Sequence, residues 1–283
     1  REKVLDPLLK TRINYWFRHV WEYWWPLYPG VLLALYYTKL EVWQMILLQL
    51  PLSAAAILGG YVFLLRRIPV SVDGPRGAIT SVVNRHFLSL MSPIIVVVGV
   101  YTVVRVGLPS VAACNRYLPM VIGIVAAMAL VQLQRPVRAH TWRTILFTKR
   151  QLALVWIVML VRAYGAFIEA PLPDGVALVE TMRSELAHCG IPVIVIVMLL
   201  PFISGLASGL AIGFVGASFP IVISLLGSEP ELCTLMATTA LAYGFGLIGM
   251  MLSPVHVCLI VTNEHFATRL LHSLTGLLAP SGV

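Results

Sequence analysis

The segment that decides the fold is FISGLASGLAIGFVGASFPIV, residues 202–222, which is rich in glycine yet almost wholly apolar. Gly205, Gly209 and Gly213 recur at every fourth position, and Pro220 lies near the end of the segment. Because glycine is the poorest helix former after proline, a plain helix in an apolar solvent would not contain so many. The pattern leaves two interpretations: small residues that let helices pack closely, or a helix whose backbone is interrupted.

The composition of the chain indicates which solvent surrounds it. Of its 283 residues, 59% are hydrophobic and only 11% are charged, and the mean hydropathy is +0.89. A soluble domain carries about 25% charged residues. Residues 43–65, 87–105 and 118–134 approach or reach the roughly 20 residues that cross a bilayer. The sequence therefore predicts an all-α polytopic membrane protein whose partner is the lipid bilayer.

The chain, residues 1–283, is predicted to form a single transmembrane domain with about eight membrane segments. It divides into an interfacial amphipathic segment, five spans, an external loop, a region of re-entrant or broken helices and a C-terminal tail. The five parts are residues 1–22, 23–168, 169–190, 191–266 and 267–283, and the five spans are residues 23–38, 43–65, 87–105, 118–134 and 151–168. The aromatic side chains expected at headgroup depth near the N-terminus are Trp16, Trp21, Tyr23, Trp24, Trp25 and Tyr28.

Basic residues alternate between the connections. The N-terminal segment and the loops after the second and fourth spans hold most of them: Arg1, Lys3, Lys10, Arg12, Arg18, Arg66, Arg67, Arg76, Arg85, Arg135, Arg138, Arg143, Lys149 and Arg150. The other connections hold only Lys39, Arg105, Arg116 and Arg183. Since Lys and Arg collect in cytoplasmic loops, the N-terminus is predicted to be cytoplasmic. The net charge of +8 then reflects topology, and we expect no nucleic-acid partner.

The glycine-rich segment supports both interpretations. Small residues four positions apart let two helices approach closely. In contrast, Ser204, Ser208, Ser218 and Pro220 beside the glycines suit a broken helix, whose freed backbone groups can bind a solute where protein or water shields them from lipid. Residues 191–226 are too long for one crossing, which favours the broken helix.

A second polar segment, SPVHVCLIVTNEHF, covers residues 253–266. Pro254 favours a break near Ser253, because the residue before proline avoids helical geometry. His256 is either a hydrogen-bonded core residue or a group that carries a proton. Glu264 either marks the water interface or, within the bundle, is a site for a coupling ion or proton. Arg162, inside the fifth span, must pair, face water or extend toward an interface.

Motifs of soluble enzymes are absent from the sequence. There is no P-loop, no HExxH and no GxSxG, and the aspartates lie outside the predicted spans. The cysteines, Cys114, Cys189, Cys233 and Cys258, have no CxxC spacing and are predicted to pack as small hydrophobes. We expect no enzymatic activity, no catalytic residue, no metal site and no cofactor other than Na⁺ or H⁺ as a coupling ion.

Three strings resemble the prokaryotic integral-membrane family called domain of unknown function 401. They are INYWFRHVWEYWWPLYPG (13–30), FISGLASGLAIGFVGASFPIV (202–222) and YGFGLIGMMLSPVHVCLIVTNEHF (243–266), and the resemblance covers essentially the whole chain. That family is placed in the ion transporter superfamily, beside arsenite, citrate, dicarboxylate, gluconate and sodium/proton carriers. The resemblance implies an inverted-repeat fold with re-entrant hairpins or broken helices near the midplane of the prokaryotic cytoplasmic membrane.

The resemblance also shows one departure. Members of the family typically run longer, and a motif rich in glycine, serine and proline precedes their aromatic segment. Nothing comparable precedes Arg1. The resemblance therefore implies a chain without the first repeat, and so with half of a site that is normally assembled between two repeats.

These observations predict a secondary carrier of a small anion or ion, coupled to Na⁺ or H⁺ and working by alternating access. The residues expected to form its unwound, solute-facing backbone are Ser204, Gly205, Ser208, Gly209, Gly213, Gly216, Ser218 and Pro220. Those expected to supply supporting polar contacts or coupling are Ser253, His256, Asn263 and Glu264. We allow for a homodimer. The alternative is a truncated or non-transporting membrane protein that acts only through helix packing or association with partners.

Overall fold

The computed structural model describes residues 6–68, 79–115, 118–146, 192–227 and 229–282, with isolated positions between 148 and 190. All regular secondary structure in these described residues is helical. In chain order the helices are α1 (Pro7–His19), α2 (Pro29–Thr38), α3 (Val42–Phe63), α4 (Ile79–Gly107), α5 (Pro109–Cys114), α6 (Leu118–Gln134), α7 (Ala139–Leu146), α8 (Val193–Ser208), α9 (Ala211–Ser224), α10 (Leu232–Met251), α11 (Val257–His265), α12 (Leu270–Thr275) and α13 (Leu278–Ser281). The predicted fifth span and external loop are described only at isolated positions, and Arg162 lies outside the described residues.

The chain divides into two compact units. One unit contains Arg1–Pro69 and Leu154–Val283, and so includes α1–α3 and α8–α13. The other contains Val70–Ala153, where α4 packs against α6. At that contact Gly123 lies against the backbone of Val97, and a Cβ at Gly123 would be 2.9 Å from the Val97 carbonyl oxygen. Every residue of the candidate site described below lies in the first unit.

Local sequence sets the helix ends in the first unit. The Asp6 side chain caps α1 by accepting a hydrogen bond from the Leu8 amide at 3.4 Å, and Pro7 occupies the first helical position. A reciprocal capping box between Glu41 and Gln44 begins α3, and the Glu41 amide donates to the Gln44 side chain at 2.7 Å. Lys39, in the left-handed conformation, ends α2.

Two helices of the described residues, α3 and α10, are long and apolar enough to cross a membrane, judged by length and composition. Four further complete helices, α2, α6, α8 and α9, are apolar but shorter, as is Met91–Gly107 within α4. The protein is therefore all-α in its described part, with two candidate spans, while the count of eight segments stays a prediction. The span predicted at residues 23–38 is helical only over α2, whose ten residues rise about 15 Å, half of a hydrocarbon core.

Small residues bring α8 and α10 into direct backbone contact. Gly205 on α8 faces the carbonyl oxygen of Gly246, and a Cβ at Gly205 would lie 2.7 Å from the Met250 amide nitrogen. Gly249 faces the backbone of Phe202 in the same way. The packing interpretation therefore explains Gly205, which lies one helical turn before the end of α8.

One face of the N-terminal helix is buried against the rest of the first unit. Tyr15 and Trp16 are buried, with the Tyr15 hydroxyl donating to the Met251 carbonyl at 2.8 Å and the Trp16 indole donating to the Ala56 carbonyl at 2.8 Å. Trp16 and Tyr23 therefore do not face lipid headgroups as predicted, whereas Trp21 is half exposed. An amphipathic pattern does not distinguish an apolar face against lipid from one against protein, which is why the sequence missed this packing.

The C-terminal residues fold back onto that helix. The short helices α12 and α13 contact α1 and α3, respectively. The Arg12 guanidinium donates to the His272 carbonyl, and the hydroxyls of Thr11 and Thr268 lie 3.0 Å apart. The segment predicted only as a tail is therefore part of the packed unit.

The close approach of α8 and α10 makes a testable prediction. Gly205→Ala and Gly249→Ala each place a methyl group against a backbone carbonyl, and overpacking of this kind costs about 1–3 kcal/mol. Gly99→Ala on α4 is the matched control, because a Cβ there meets no atom within 4 Å. In thermal unfolding of the purified protein in detergent, we expect both α8–α10 variants to melt below the wild type and the control to melt at or above it. Equal melting of Gly205→Ala and Gly99→Ala would contradict this packing.

Candidate functional site

The first interruption separates α8 from α9 by two residues. Gly209 adopts the left-handed conformation with φ of +61°, and Leu210 is extended. The Gly209 amide closes α8 by donating to the Gly205 carbonyl at 2.8 Å. The Ser208 hydroxyl donates to the Ser204 carbonyl at 2.7 Å and also lies 3.4 Å from the Leu210 amide. Glycine suits this position because other residues pay a steric cost at positive φ.

The second interruption separates α10 from α11, at the place that Pro254 predicts. The helix ends at Met251, and the next begins at Val257 with His256 as its cap residue. Ser253 lies in the turn, where its amide donates to the Met250 carbonyl at 3.1 Å. Ser253 and His256 are both buried.

The two interruptions contact each other directly. The Ser253 hydroxyl donates to the Leu206 carbonyl at 2.6 Å, and the His256 Nδ1 lies 2.6 Å from the Gly209 carbonyl oxygen. A Cβ at Gly209 would lie 2.9 Å from the His256 amide nitrogen. The structure thus brings together three residues that the sequence predicted for the site: Gly209, Ser253 and His256.

The remaining residues of the predicted solute-facing backbone lie in regular helix, which corrects the prediction that this backbone is unwound. They are Ser204, Gly205, Ser208, Gly213, Gly216, Ser218 and Pro220. Within these helices the hydroxyls of Ser208 and Ser218 bond to carbonyls of their own helix, Ser208 to Ser204 at 2.7 Å and the buried Ser218 to Phe214 at 2.6 Å. A part for these residues in solute binding stays a prediction.

The two predicted polar residues on α11 have different environments. Asn263 is buried, and its side-chain nitrogen donates to the Leu259 carbonyl at 2.8 Å. Its side-chain oxygen accepts hydrogen bonds from Thr268 at 2.8 Å and Ser273 at 2.6 Å. Asn263 thus ties α11 to α12, whereas Glu264 is exposed, and its place at the water interface or at a coupling site stays a prediction.

A second buried histidine faces His256 across the site. His19, at the end of α1, places its Nε2 atom 3.1 Å from the His256 Nε2 atom, and its Nδ1 atom lies 2.6 Å from the Tyr15 carbonyl oxygen. A carbonyl oxygen only accepts hydrogen bonds, so both Nδ1 atoms must carry the proton. In the neutral rings both Nε2 atoms are then acceptors, with their lone pairs turned toward each other.

Two more ionisable side chains adjoin this pair. The Cys258 Sγ and one ring nitrogen of each histidine all lie within 4.8 Å of one another. One Glu22 carboxylate oxygen lies 3.8 Å from the His19 Nε2, and the other is buried and has no hydrogen-bond partner. Burial lowers the pKa of His19 to about 3 and raises the pKa of Glu22 to about 7.

Sequence reasoning did not assign His19, Glu22 or Cys258 to the site. His19 and Glu22 stand three residues apart in the aromatic string 13–30, and that spacing is the one indication that the sequence offers. The partner histidine lies 237 positions away, so their contact is a product of the tertiary fold.

An apolar cavity of about 620 Å³ lies elsewhere in the first unit. Side chains of α3 and α10 line it, among them Leu52, Ala56, Leu241 and Phe245. None of the residues predicted for solute binding or coupling contributes to its wall. Its lining suits an apolar group rather than an ion.

The described structure therefore defines an all-α protein with two candidate membrane-crossing helices and a buried site where two interrupted helices meet. Within this class, the chain belongs to the family described as Protein of unknown function (DUF401), whose model matches residues 1–283. The family resemblance inferred from the three strings is thereby confirmed, while the superfamily placement and the absent first repeat stay predictions. Comparison with curated proteins and with solved structures gives no match.

The contact between the interruptions predicts a specific cost at Gly209. Gly209→Ala introduces both a side chain at positive φ and a methyl group against His256. Gly190→Ala is the matched control, because Gly190 has φ of +66° and its Cβ would meet no atom within 4 Å. We expect Gly209→Ala to lose at least about 1 kcal/mol more stability than the control, from the contact with His256. Equal losses in chemical unfolding would show that the two interruptions do not touch.

Proposed function

We propose that this protein is a secondary active carrier of a small anion or ion in the prokaryotic cytoplasmic membrane. Its N-terminus lies on the cytoplasmic side, and a Na⁺ or H⁺ gradient drives it. The observation that carries the proposal is the contact between the interruption at Gly209 and the one at Ser253–His256.

Interrupted helices supply the chemistry that such a carrier needs. The first amide groups of α9 and α11 have no acceptor within their own helices, and the last carbonyl groups of α8 and α10 have no donor within theirs. Helix N-termini favour an anion, and C-terminal carbonyls favour a cation. Carriers with inverted repeats place such discontinuous helices around the solute near the bilayer midplane. A site at these ends accounts for interruptions inside an otherwise apolar region.

Alternating access further requires that the interruptions move relative to their surroundings. In inverted-repeat carriers the site is completed by a second set of interrupted helices. The homodimer that we allow for would bring two copies of the α8–α11 region into one assembly. In this scheme, the hydrogen bond from Ser253 to Leu206 stabilises one of the two conformations of each copy between which the carrier alternates.

The alternative function is that of a non-transporting membrane protein. The contact of α8 with α10 through Gly205 and Gly249 favours it, because close packing alone explains those glycines. The two functions differ in one observable, which is movement of a solute across a sealed membrane.

Uptake into proteoliposomes tests the proposal. The panel contains organic acids and oxyanions, each offered with a Na⁺ gradient, a proton gradient or neither. We expect gradient-dependent uptake of at least one compound, and we expect Ser253→Ala to lower its rate about fivefold, since it removes a hydrogen bond between the interruptions worth about 1 kcal/mol.

Ser224→Ala is the matched control for this experiment. Its hydroxyl bonds only within α9, to the Pro220 carbonyl, at 2.5 Å. We expect near wild-type uptake in this variant, with both variants inserted in the membrane to equal amounts. Absence of uptake for every compound under every gradient would favour the non-transporting alternative.

A further inference from the structure

His19 and His256 face each other through Nε2 atoms that carry no proton in the neutral rings. Each Nδ1 proton is committed to a backbone carbonyl, of Tyr15 for His19 and of Gly209 for His256. The Nε2 lone pairs then oppose each other at 3.1 Å, which is repulsive unless a proton or a metal ion joins them.

The separation of the two nitrogens fits a metal ion. With zinc–nitrogen bonds of 2.0–2.1 Å and tetrahedral angles, two histidine ligands lie about 3.3 Å apart. The observed 3.1 Å needs only a small displacement of either ring.

The neighbouring donors complete a set that is typical of zinc. We propose that His19, His256 and Cys258 bind a divalent metal ion of the zinc class, beside the Glu22 carboxylate, one oxygen of which lies 3.8 Å from the His19 Nε2. Imidazole, thiolate and carboxylate are the side chains that bind zinc in proteins. One thiolate and one carboxylate neutralise the two charges of the ion, which removes the cost of a net charge at a buried site.

The surroundings of the ligands support this assignment. Histidines that bind a metal usually donate their second ring N–H to a carboxylate or a backbone carbonyl, and both histidines do so here. The Arg18 guanidinium lies 3.5 Å from the Cys258 carbonyl oxygen and 3.4 Å from the Thr262 hydroxyl, so it braces α11 from the side of α1.

The proposed ligands come from two distant parts of the chain. His19 and Glu22 belong to the end of α1 and the turn after it, whereas His256 and Cys258 begin α11. A metal ion would therefore fasten the N-terminal helix to the point where the two interruptions meet. This inference does not depend on transport, and its test uses no transport measurement.

The experiment is titration of the purified, metal-stripped full chain with Co²⁺, followed by displacement with Zn²⁺. We expect one tight Co²⁺ per chain, a visible spectrum of tetrahedral cobalt and a thiolate-to-cobalt charge-transfer band. Cys258→Ser should lose the charge-transfer band, and His19→Ala and His256→Ala should each weaken binding at least about 100-fold, because they remove a direct ligand, while loss of a supporting contact alone costs 10–100-fold.

Matched controls use residues of the same type at exposed positions. Cys233→Ser and His265→Ala remove an exposed thiol and an exposed imidazole, and neither should change the titration or the spectrum. His19→Cys shows whether the alanine variants lose binding because a ligand is missing or because they misfold. It keeps a ligand at this position and should retain Co²⁺ with a stronger charge-transfer band. Absence of tight binding in the wild type, or wild-type binding in both histidine-to-alanine variants, would overturn the metal site.

Discussion

The hydrogen bond between the His256 ring and the Gly209 carbonyl joins two interrupted helices, and the candidate site depends on it. Each interruption frees backbone groups that an apolar environment cannot satisfy, at a cost of several kcal/mol for each unpaired group. Here the interruptions satisfy each other, since Ser253 also donates to the Leu206 carbonyl. The same bond fixes the tautomer of His256 and turns its Nε2 toward His19. The geometry of the site thus follows from the hydrogen bonds by which the two interrupted helices satisfy each other's backbone groups.

The sequence predicted the elements of this arrangement that depend on local chemistry. Pro254 placed one break correctly, and glycine indicated the other, which lies at Gly209. The spans predicted at residues 43–65 and 118–134 correspond closely to α3 and α6. The two interpretations of the glycine-rich segment both hold, for different residues: Gly205 permits close packing against α10, and Gly209 supplies the left-handed turn. Residue type alone could not distinguish the packing role from the turn role, because both require a residue without a side chain.

The sequence could not predict the contacts that join distant segments. The sequence places His19 in an interfacial segment and Cys258 among small packing residues, because neither belongs to a motif with recognisable spacing. Their convergence requires the burial of α1 against α3 and α11, and that burial depends on acceptors elsewhere in the fold, such as the Met251 carbonyl that binds the Tyr15 hydroxyl. The extent of α2 was missed for a similar reason, since the apolar residues before it form turns rather than helix.

The most direct test of the junction between the interrupted helices is the tautomer of His256, measured by nitrogen-15 NMR of the histidine-labelled protein. The assignment comes from the signals lost in His256→Ala. The account predicts a protonated Nδ1, donating to the Gly209 carbonyl, and an Nε2 without a proton, with the same pattern for His19. A ring of His256 with protonated Nε2 and bare Nδ1 would contradict it, because that ring could not bond to Gly209 and the two interruptions would not be joined.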